Sequence, residues 1–297
     1  MGTENIAVDD YGESEIQVSL VRPGMETRYT PNRVRMRLHT QNGDALNWLL
    51  LPGGPGIGSE SLVELASALD VAGSVWLVDL PGDGSNLRPM DTDPYATWPQ
   101  VLLEAAQAVP NPVFVGHSTG GMYLLATPRL SEVARGIALL DTAPDSSWHP
   151  EYVDMTRRNP LPAFETAALE YARDRSVANL TTLAVTSAEW NFTAAALDTG
   201  RALLSRMPYN VAAAEWSDAH FDHSYEALWW PTEMPVLRLW GDQDRIVSQR
   251  AWGTPRFNTP NVMARAIPRA GHFPWIDNPR AVAGAFAEYA ATVFKAM

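Results

Sequence analysis

A chain of 297 residues with 34 acidic against 22 basic side chains, a formal charge of −12, repels polyphosphate and anionic bilayers, which argues against nucleic acid and membrane as partners. It contains no cysteine, which removes disulfide frameworks, thiolate nucleophiles and thiolate metal sites and makes a cytoplasmic location the expectation. A chain of this size buries roughly three quarters of its unfolded surface, enough for one large α/β domain or a core domain with an insertion.

From the N-terminus, Met1 to Ser14 is polar and acidic, without the basic and apolar regions of a secretory signal, and Ile6 stands where a myristoylation signal needs serine or threonine. No stretch approaches the length of a membrane span. The Asn179 and Asn191 glycosylation patterns are therefore background. Ile16 to Arg22 and Val34 to His39 alternate apolar with polar residues, as half-exposed antiparallel strands do. Asn47 to Leu51 is a continuous apolar run, as in a strand covered on both faces, and it enters Pro52-Gly53-Gly54-Pro55-Gly56. Three glycines and two prolines exclude helix or strand here and leave a rigid loop with exposed backbone amides.

Ser59 to Leu69 has helical spacing, with Ser59 or Ser61 available as cap, and Val75 to Leu80 is the next buried strand. Strand, helix, strand at this spacing implies a parallel sheet with right-handed crossovers. Trp98 to Ala108 supplies another helix, which Asn111-Pro112 breaks. The next strand, Val113 to Val115, runs into Gly116-His117-Ser118-Thr119-Gly120-Gly121, a serine between glycines at G-x-S-x-G spacing. Strand, tight turn and helix in immediate succession put Ser118 at the apex of a strained turn, its hydroxyl projecting and the free N–H groups of the following helix beneath it. His117 reads as a packing residue under that turn.

Ile137 to Leu140 is a further buried strand that ends at Asp141. From Asp145 to Pro231 the βα alternation stops, and helices such as Pro162 to Arg173 and Ala194 to Ser205 follow one another. The expected organisation is a core of residues 1–144 and 232–297 with a helical cap of residues 145–231. Trp148, Trp190, Trp216, Trp229 and Trp230 in that segment are candidates to line a small-molecule pocket, against the alternative of ordinary core packing. Asp218, His220, Asp222 and His223 have metal-like composition but read as solvated or capping residues. His39 and His149 carry no signal.

The sheet pattern resumes at Val236 to Trp240, followed by Gly241-Asp242-Gln243-Asp244, and again at Asn261 to Ile267, followed by Gly271-His272-Phe273-Pro274. Arg280 to Phe294 closes the chain as an amphipathic helix. Serine, acid, histidine is the chain order of the α/β-hydrolase triad, and the elbow, the glycine-rich loop, G-x-x-D and G-H-x-P all occur in family order. The chain thus resembles the α/β-hydrolase fold superfamily over nearly its full length.

That resemblance implies a mostly parallel central sheet flanked by helices with a helical cap. It also implies a triad of Ser118, Asp244 and His272, with Asp141 and Asp242 as alternative acids. The oxyanion donors would be the backbone N–H of Thr119 and that of Gly54 or Gly53. The chemistry needs no metal or organic cofactor. Pro52 to Gly56 resembles the loop of proline iminopeptidases, with proline in place of its leading histidine, whereas the elbow is closer to esterases, lactonases and carbon–carbon bond hydrolases. No acidic residue of the cap, Glu189, Glu215 and Glu226 included, matches an amine-binding motif. The expectation is a serine hydrolase of a small, largely apolar ester or lactone, with an iminopeptidase-like amidase as one alternative and a ligand-binding protein without turnover as another.

Overall fold

The computed structural model describes residues 26–87 and 94–297, so the strand expected at Ile16 to Arg22 lies outside the described residues. Strand β2 (Arg35–Asn42) is the half-exposed segment expected at Val34 to His39 and is preceded by a short exposed strand that was not expected, β1 (Thr27–Tyr29), while β3 (Asn47–Leu51), β4 (Gly73–Asp79), β5 (Pro112–His117) and β6 (Gly136–Leu140) are buried throughout. With β7 (Val236–Gly241) and β8 (Val262–Ile267) they form one sheet in the order β1-β2-β4-β3-β5-β6-β7-β8. The β1–β2 and β2–β4 pairs are antiparallel and every later pair is parallel. The inner parallel strands are covered on both faces and buried, whereas the edge strands β1 and β8 are not.

Side chains of period two sort the strands between two apolar layers. Leu49, Trp76, Phe114 and Ile137 face helices α2 (Trp98–Gln107) and α3 (Thr119–Leu125). Leu50, Leu77, Val115 and Ala138 face α1 (Val63–Ala68) and the C-terminal helix. The single helix expected from Ser59 is divided: a 3₁₀ turn, Ser59–Leu62, precedes α1, and neither serine caps it. The Asp79 carboxylate at the end of β4 accepts the Ser59 N–H at 2.6 Å instead, satisfying a donor that a cap would otherwise take.

Between β6 and β7 come α4 (Trp148–Arg158), α5 (Pro162–Arg173), α6 (Val177–Thr186), α7 (Ala188–Asn191), α8 (Leu197–Ser205) and α9 (Val211–His220), with no strand among these described residues. Pro162 to Arg173 is a helix as expected, whereas α8 begins three residues later than the sequence suggested. After β8 come α10 (Pro274–Asp277) and α11 (Pro279–Lys295). No helix among the described residues is long and apolar enough to cross a membrane.

The crossing of β5 with α3 is close. A Cβ on Gly116 would lie 2.6 Å from the Gly121 Cα, and one on Gly120 would lie 2.4 Å from the Pro52 carbonyl oxygen. Backbone meets backbone there, so no side chain can turn aside. Gly116→Ala is therefore expected to destabilise the fold by about 2–4 kcal/mol, a drop in Tm of roughly 5–10 °C by thermal melt. An unchanged Tm would mean that the crossing is looser than described.

Candidate active site

Ser118 sits between β5 and α3 with φ 50° and ψ −124°, a backbone conformation that costs a non-glycine residue on the order of 1–3 kcal/mol. Both sides of the turn hold it. Its N–H donates to the Leu140 carbonyl of β6 at 2.8 Å, and its own carbonyl accepts from Gly121 N at 2.9 Å. The side chain is half-buried at the start of a helix whose first N–H, that of Thr119, has no acceptor within the helix.

The loops after β7 and β8 bring the acid and the histidine together. His272 Nδ1 lies 3.1 Å from Asp244 Oδ2, in a pair whose side chains are only 6% and 2% exposed. The other Asp244 oxygen accepts from Ile246 N at 2.8 Å and Val247 N at 3.2 Å. A carboxylate only accepts, so the His272 proton resides on Nδ1 and the Nε2 lone pair is free to take another. Asp242, by contrast, is exposed and accepts from Ala270 N, and Asp141 is fully buried against Gly241 N. Of the three acids, Asp244 is the one hydrogen-bonded to the imidazole.

His117 packs beneath the turn as expected and does more. Its Nε2 donates to the His272 carbonyl at 2.9 Å, and its ring lies 4.8 Å from that of His272. Burial drives its pKa well below the ordinary histidine value, so it is neutral. Its buried Nδ1 has no hydrogen-bond partner among the described residues. The residue before the serine thereby ties the elbow to the loop that carries His272.

Gly53 is pressed against the serine: a Cβ there would lie 2.7 Å from Ser118 Cβ and 2.9 Å from the His117 oxygen. Gly54 follows with φ 116°, and its carbonyl accepts from Thr119 Oγ1 at 3.5 Å. A buried acidic platform supports this loop from below. Asp83 accepts from Gly56 N at 3.0 Å, while Asp79 holds Ser59 N and is itself held by Arg35 at 2.9 Å and Arg37 at 3.3 Å. Burial, and next the Asp79 charge, push the Asp83 carboxyl up to about 8.

Two supporting groups were not legible as such in the sequence. Asn191, at the end of α7, accepts the His272 N–H at 2.8 Å through its carbonyl, and Gly271 lies so close that a Cβ would meet that oxygen at 2.3 Å. Asp277 accepts from Gly271 N at 2.9 Å and from Thr193 N and Oγ1 at 3.0 and 2.6 Å. These contacts join residues 6 to 84 positions apart, beyond any local pattern.

The five tryptophans do not converge. Trp190 is buried against Tyr152 and Phe164, donates to the Asn159 carbonyl and edges a groove of about 340 Å³ shared with Glu189 and Arg245. Trp216 lies against Tyr95 and Trp98, and Trp230 against Trp252 and Phe257. Trp229 donates to the Leu124 carbonyl, and Trp148 packs beside His149 and Tyr152. Among the cap acids, Glu189 and Glu215 pair with Arg201 and Arg175, and Glu226 is exposed. His223 approaches Asp218 at 3.4 Å while Asp222 accepts from Ser217 and His220 turns to the Trp216 carbonyl, so the four do not share a metal-sized centre. Among the described residues, the one group of three such donors within 4.8 Å of one another is Asp141, Asp244 and His272.

Residues 48–285 match the model of the Alpha/beta hydrolase family. The chain is 28% identical to a pimeloyl-[acyl-carrier protein] methyl ester esterase of Xanthomonas campestris pv. campestris (strain B100), covering 73% of this chain and 84% of that protein. It is 26% identical, with the same shares covered, to the protein so named in Xanthomonas oryzae pv. oryzae (strain MAFF 311018). Among solved structures it is similar to a proline iminopeptidase-related protein from Thermus thermophilus, with TM-score 0.69 and 21% identity over 92% of this chain and 99% of that one. It is also similar to a thermophilic esterase from Thermogutta terrifontis, with TM-score 0.62 and 20% identity over 91% and 97%. Likeness at such identities is one of fold.

The loop platform generates a pH-dependent prediction. A carboxyl whose folded-state pKa is raised to about 8 binds its proton more tightly folded than unfolded. Stability is therefore lost as pH rises from the unfolded value, near 4, toward 8. Asp83→Asn keeps an oxygen for Gly56 N and cannot ionise, so its Tm should exceed that of wild type by at least ~3 °C at pH 8 and by little at pH 4.5. An equal difference at both pH values would mean that Asp83 carries its charge in the folded protein.

Proposed function

Since this chain belongs to the alpha/beta hydrolase family, we propose that it is a serine hydrolase of small, largely apolar carboxylic esters, working through Ser118, His272 and Asp244. The observation that carries this reading is the buried His272–Asp244 pair, on a loop that is tied through the His272 carbonyl to His117, the residue before a serine held at φ 50° on a strand-to-helix turn. His272 Nε2 takes the Ser118 proton as the hydroxyl attacks the acyl carbon, and Asp244 holds the tautomer and stabilises the imidazolium. The N–H groups of Thr119 and of Gly54 or Gly53 receive the developing oxyanion, each worth about 3–4 kcal/mol of barrier. His272 then returns the proton to the leaving alkoxide and activates the water that releases the acid. The helices between β6 and β7 act as a cap that shapes the acyl pocket, with residues 1–144 and 232–297 as the catalytic core.

The ester reading is supported by the elbow sequence and by the likeness to pimeloyl-[acyl-carrier protein] methyl ester esterases. Glu215, the first acid to consider for holding a substrate amine, is partly exposed and already paired with Arg175 at 3.0 Å. Glu226 is exposed, and an amine-binding carboxylate must be desolvated and unpaired to be selective.

Ser118→Ala should lower kcat on p-nitrophenyl butyrate by at least ~10⁴-fold without changing Tm by more than a degree or two, because one hydroxyl is lost and no core contact changes. Residual turnover near the wild-type rate would exclude Ser118 as nucleophile. For matched substrates, kcat/KM should favour the simple ester over a prolyl amide with a free amine. Efficient cleavage of the amide, with loss on N-acetylation, would instead establish amine recognition. Release of a single equivalent without steady turnover would favour the binding-protein alternative.

A further inference from the structure

Asp141 is the buried acid that the proposed reaction leaves unused. It follows β6 directly and adopts φ 45°, a left-handed conformation that aspartate tolerates better than most side chains. Oδ1 accepts from Gly241 N at 2.8 Å, in the turn that leads to Asp244. Oδ2 is buried, without a hydrogen-bond donor among the described residues, and a carboxylate oxygen of Asp141, one of Asp244 and a ring nitrogen of His272 lie within 4.8 Å of one another. Two ionised carboxylates so close in a buried setting would repel strongly. One proton between them turns repulsion into a hydrogen bond.

Which carboxyl holds that proton follows from what each already receives. Asp244 accepts two backbone N–H groups and the His272 ring N–H, all of which favour its charged form. Asp141 accepts one. The titratable groups facing Asp141 are Asp244, Asp277 and His272. We propose that Asp141 is a neutral carboxylic acid that donates its proton to Asp244, a positioning residue that fixes the carboxylate on which His272 depends. The direction of its titration agrees: burial first, then the Asp244 charge, hold its pKa well above the usual carboxylate range.

The catalytic part of this inference rests on the triad proposed above, but the location of the proton has a readout of its own. Asparagine at position 141 reproduces a protonated aspartate, its amide donating to Asp244 and its oxygen accepting from Gly241 N. It also tolerates the positive φ. Asparagine at position 244 removes the charge itself. The test measures kcat/KM on p-nitrophenyl butyrate and Tm between pH 5 and 9 for wild type, Asp141→Asn, Asp141→Gly, Asp244→Asn and Ser118→Ala. Asp141→Asn should remain within ~3-fold of wild type, and Asp244→Asn should lose at least ~10³-fold. Asp141→Gly accepts the backbone conformation but lacks the donor, so it should lose activity that asparagine restores. Its acidic limb should also move to higher pH, because an undivided Asp244 charge binds the imidazolium more tightly.

The Tm advantage of Asp141→Asn over wild type should widen as pH rises, since a raised folded-state pKa costs stability as the unfolded form ionises. Equal losses in the two asparagine variants, the reverse ranking, or a Tm difference independent of pH would overturn the assignment. Ser118→Ala with full activity would instead overturn the triad, while the Tm comparison would still report where the proton lies.

Discussion

The close approach of β5 to α3 is the constraint on which the site depends. Gly116 and Gly121 allow the two backbones to touch, and that contact bends the chain through Ser118 with φ 50°. The bend in turn leaves the first N–H of α3 free beside the hydroxyl. A side chain on Gly116 would open the crossing, relax the turn and withdraw the serine from the loop around Gly53, whereas one on Gly121 would press on the Thr142 side chain. The strain at Ser118 is held because Leu140, Gly121 and His117 each contribute a bond or contact that a relaxed turn would lose.

Around this turn the other two loops are fixed by backbone groups and buried acids. His272 is held through its backbone rather than its ring: its N–H by the Asn191 carbonyl and its carbonyl by His117. The ring is thus left to Asp244 alone among the described hydrogen bonds. On the opposite side Asp83 and Asp79 hold the glycine-rich loop by two N–H groups, with Arg35 and Arg37 balancing Asp79. Buried acids therefore recur under both loops, one set beneath the glycine-rich segment and one, Asp141, behind Asp244. Each accepts a backbone N–H that would otherwise be orphaned, and this organises loops that have no ladder of their own.

The parts of this arrangement that were legible in the sequence are those with a local cause. Glycines flanking Ser118 and the run Pro52 to Gly56 restrict the backbone locally, and the Gly-x-x-Asp and Gly-His-x-Pro segments could be assigned roles through their resemblance to the family before their neighbours were known. The division of Ser59 to Leu69 into a 3₁₀ turn and α1 was not legible, because the Asp79 side chain that replaces the cap is twenty residues away. Nor were the roles of Asn191 and Asp277, which lie in the inserted helices and in α10 and meet the His272 loop only after folding. The tryptophans illustrate the opposite limit: their number suggested a pocket, yet their ring partners distribute them over several packing clusters, since a large apolar side chain is equally suited to either use.

The central claim, that Ser118 is a nucleophile activated by His272 and Asp244, is tested most directly by covalent trapping. Wild-type protein treated with a fluorophosphonate and examined by intact mass and peptide mapping should gain one equivalent on the peptide that contains Ser118. The rate of labelling should follow the deprotonation of a single histidine, and Asp244→Asn should label far more slowly. A protein that hydrolyses esters while remaining unlabelled, or that labels at another residue, would contradict the assignment.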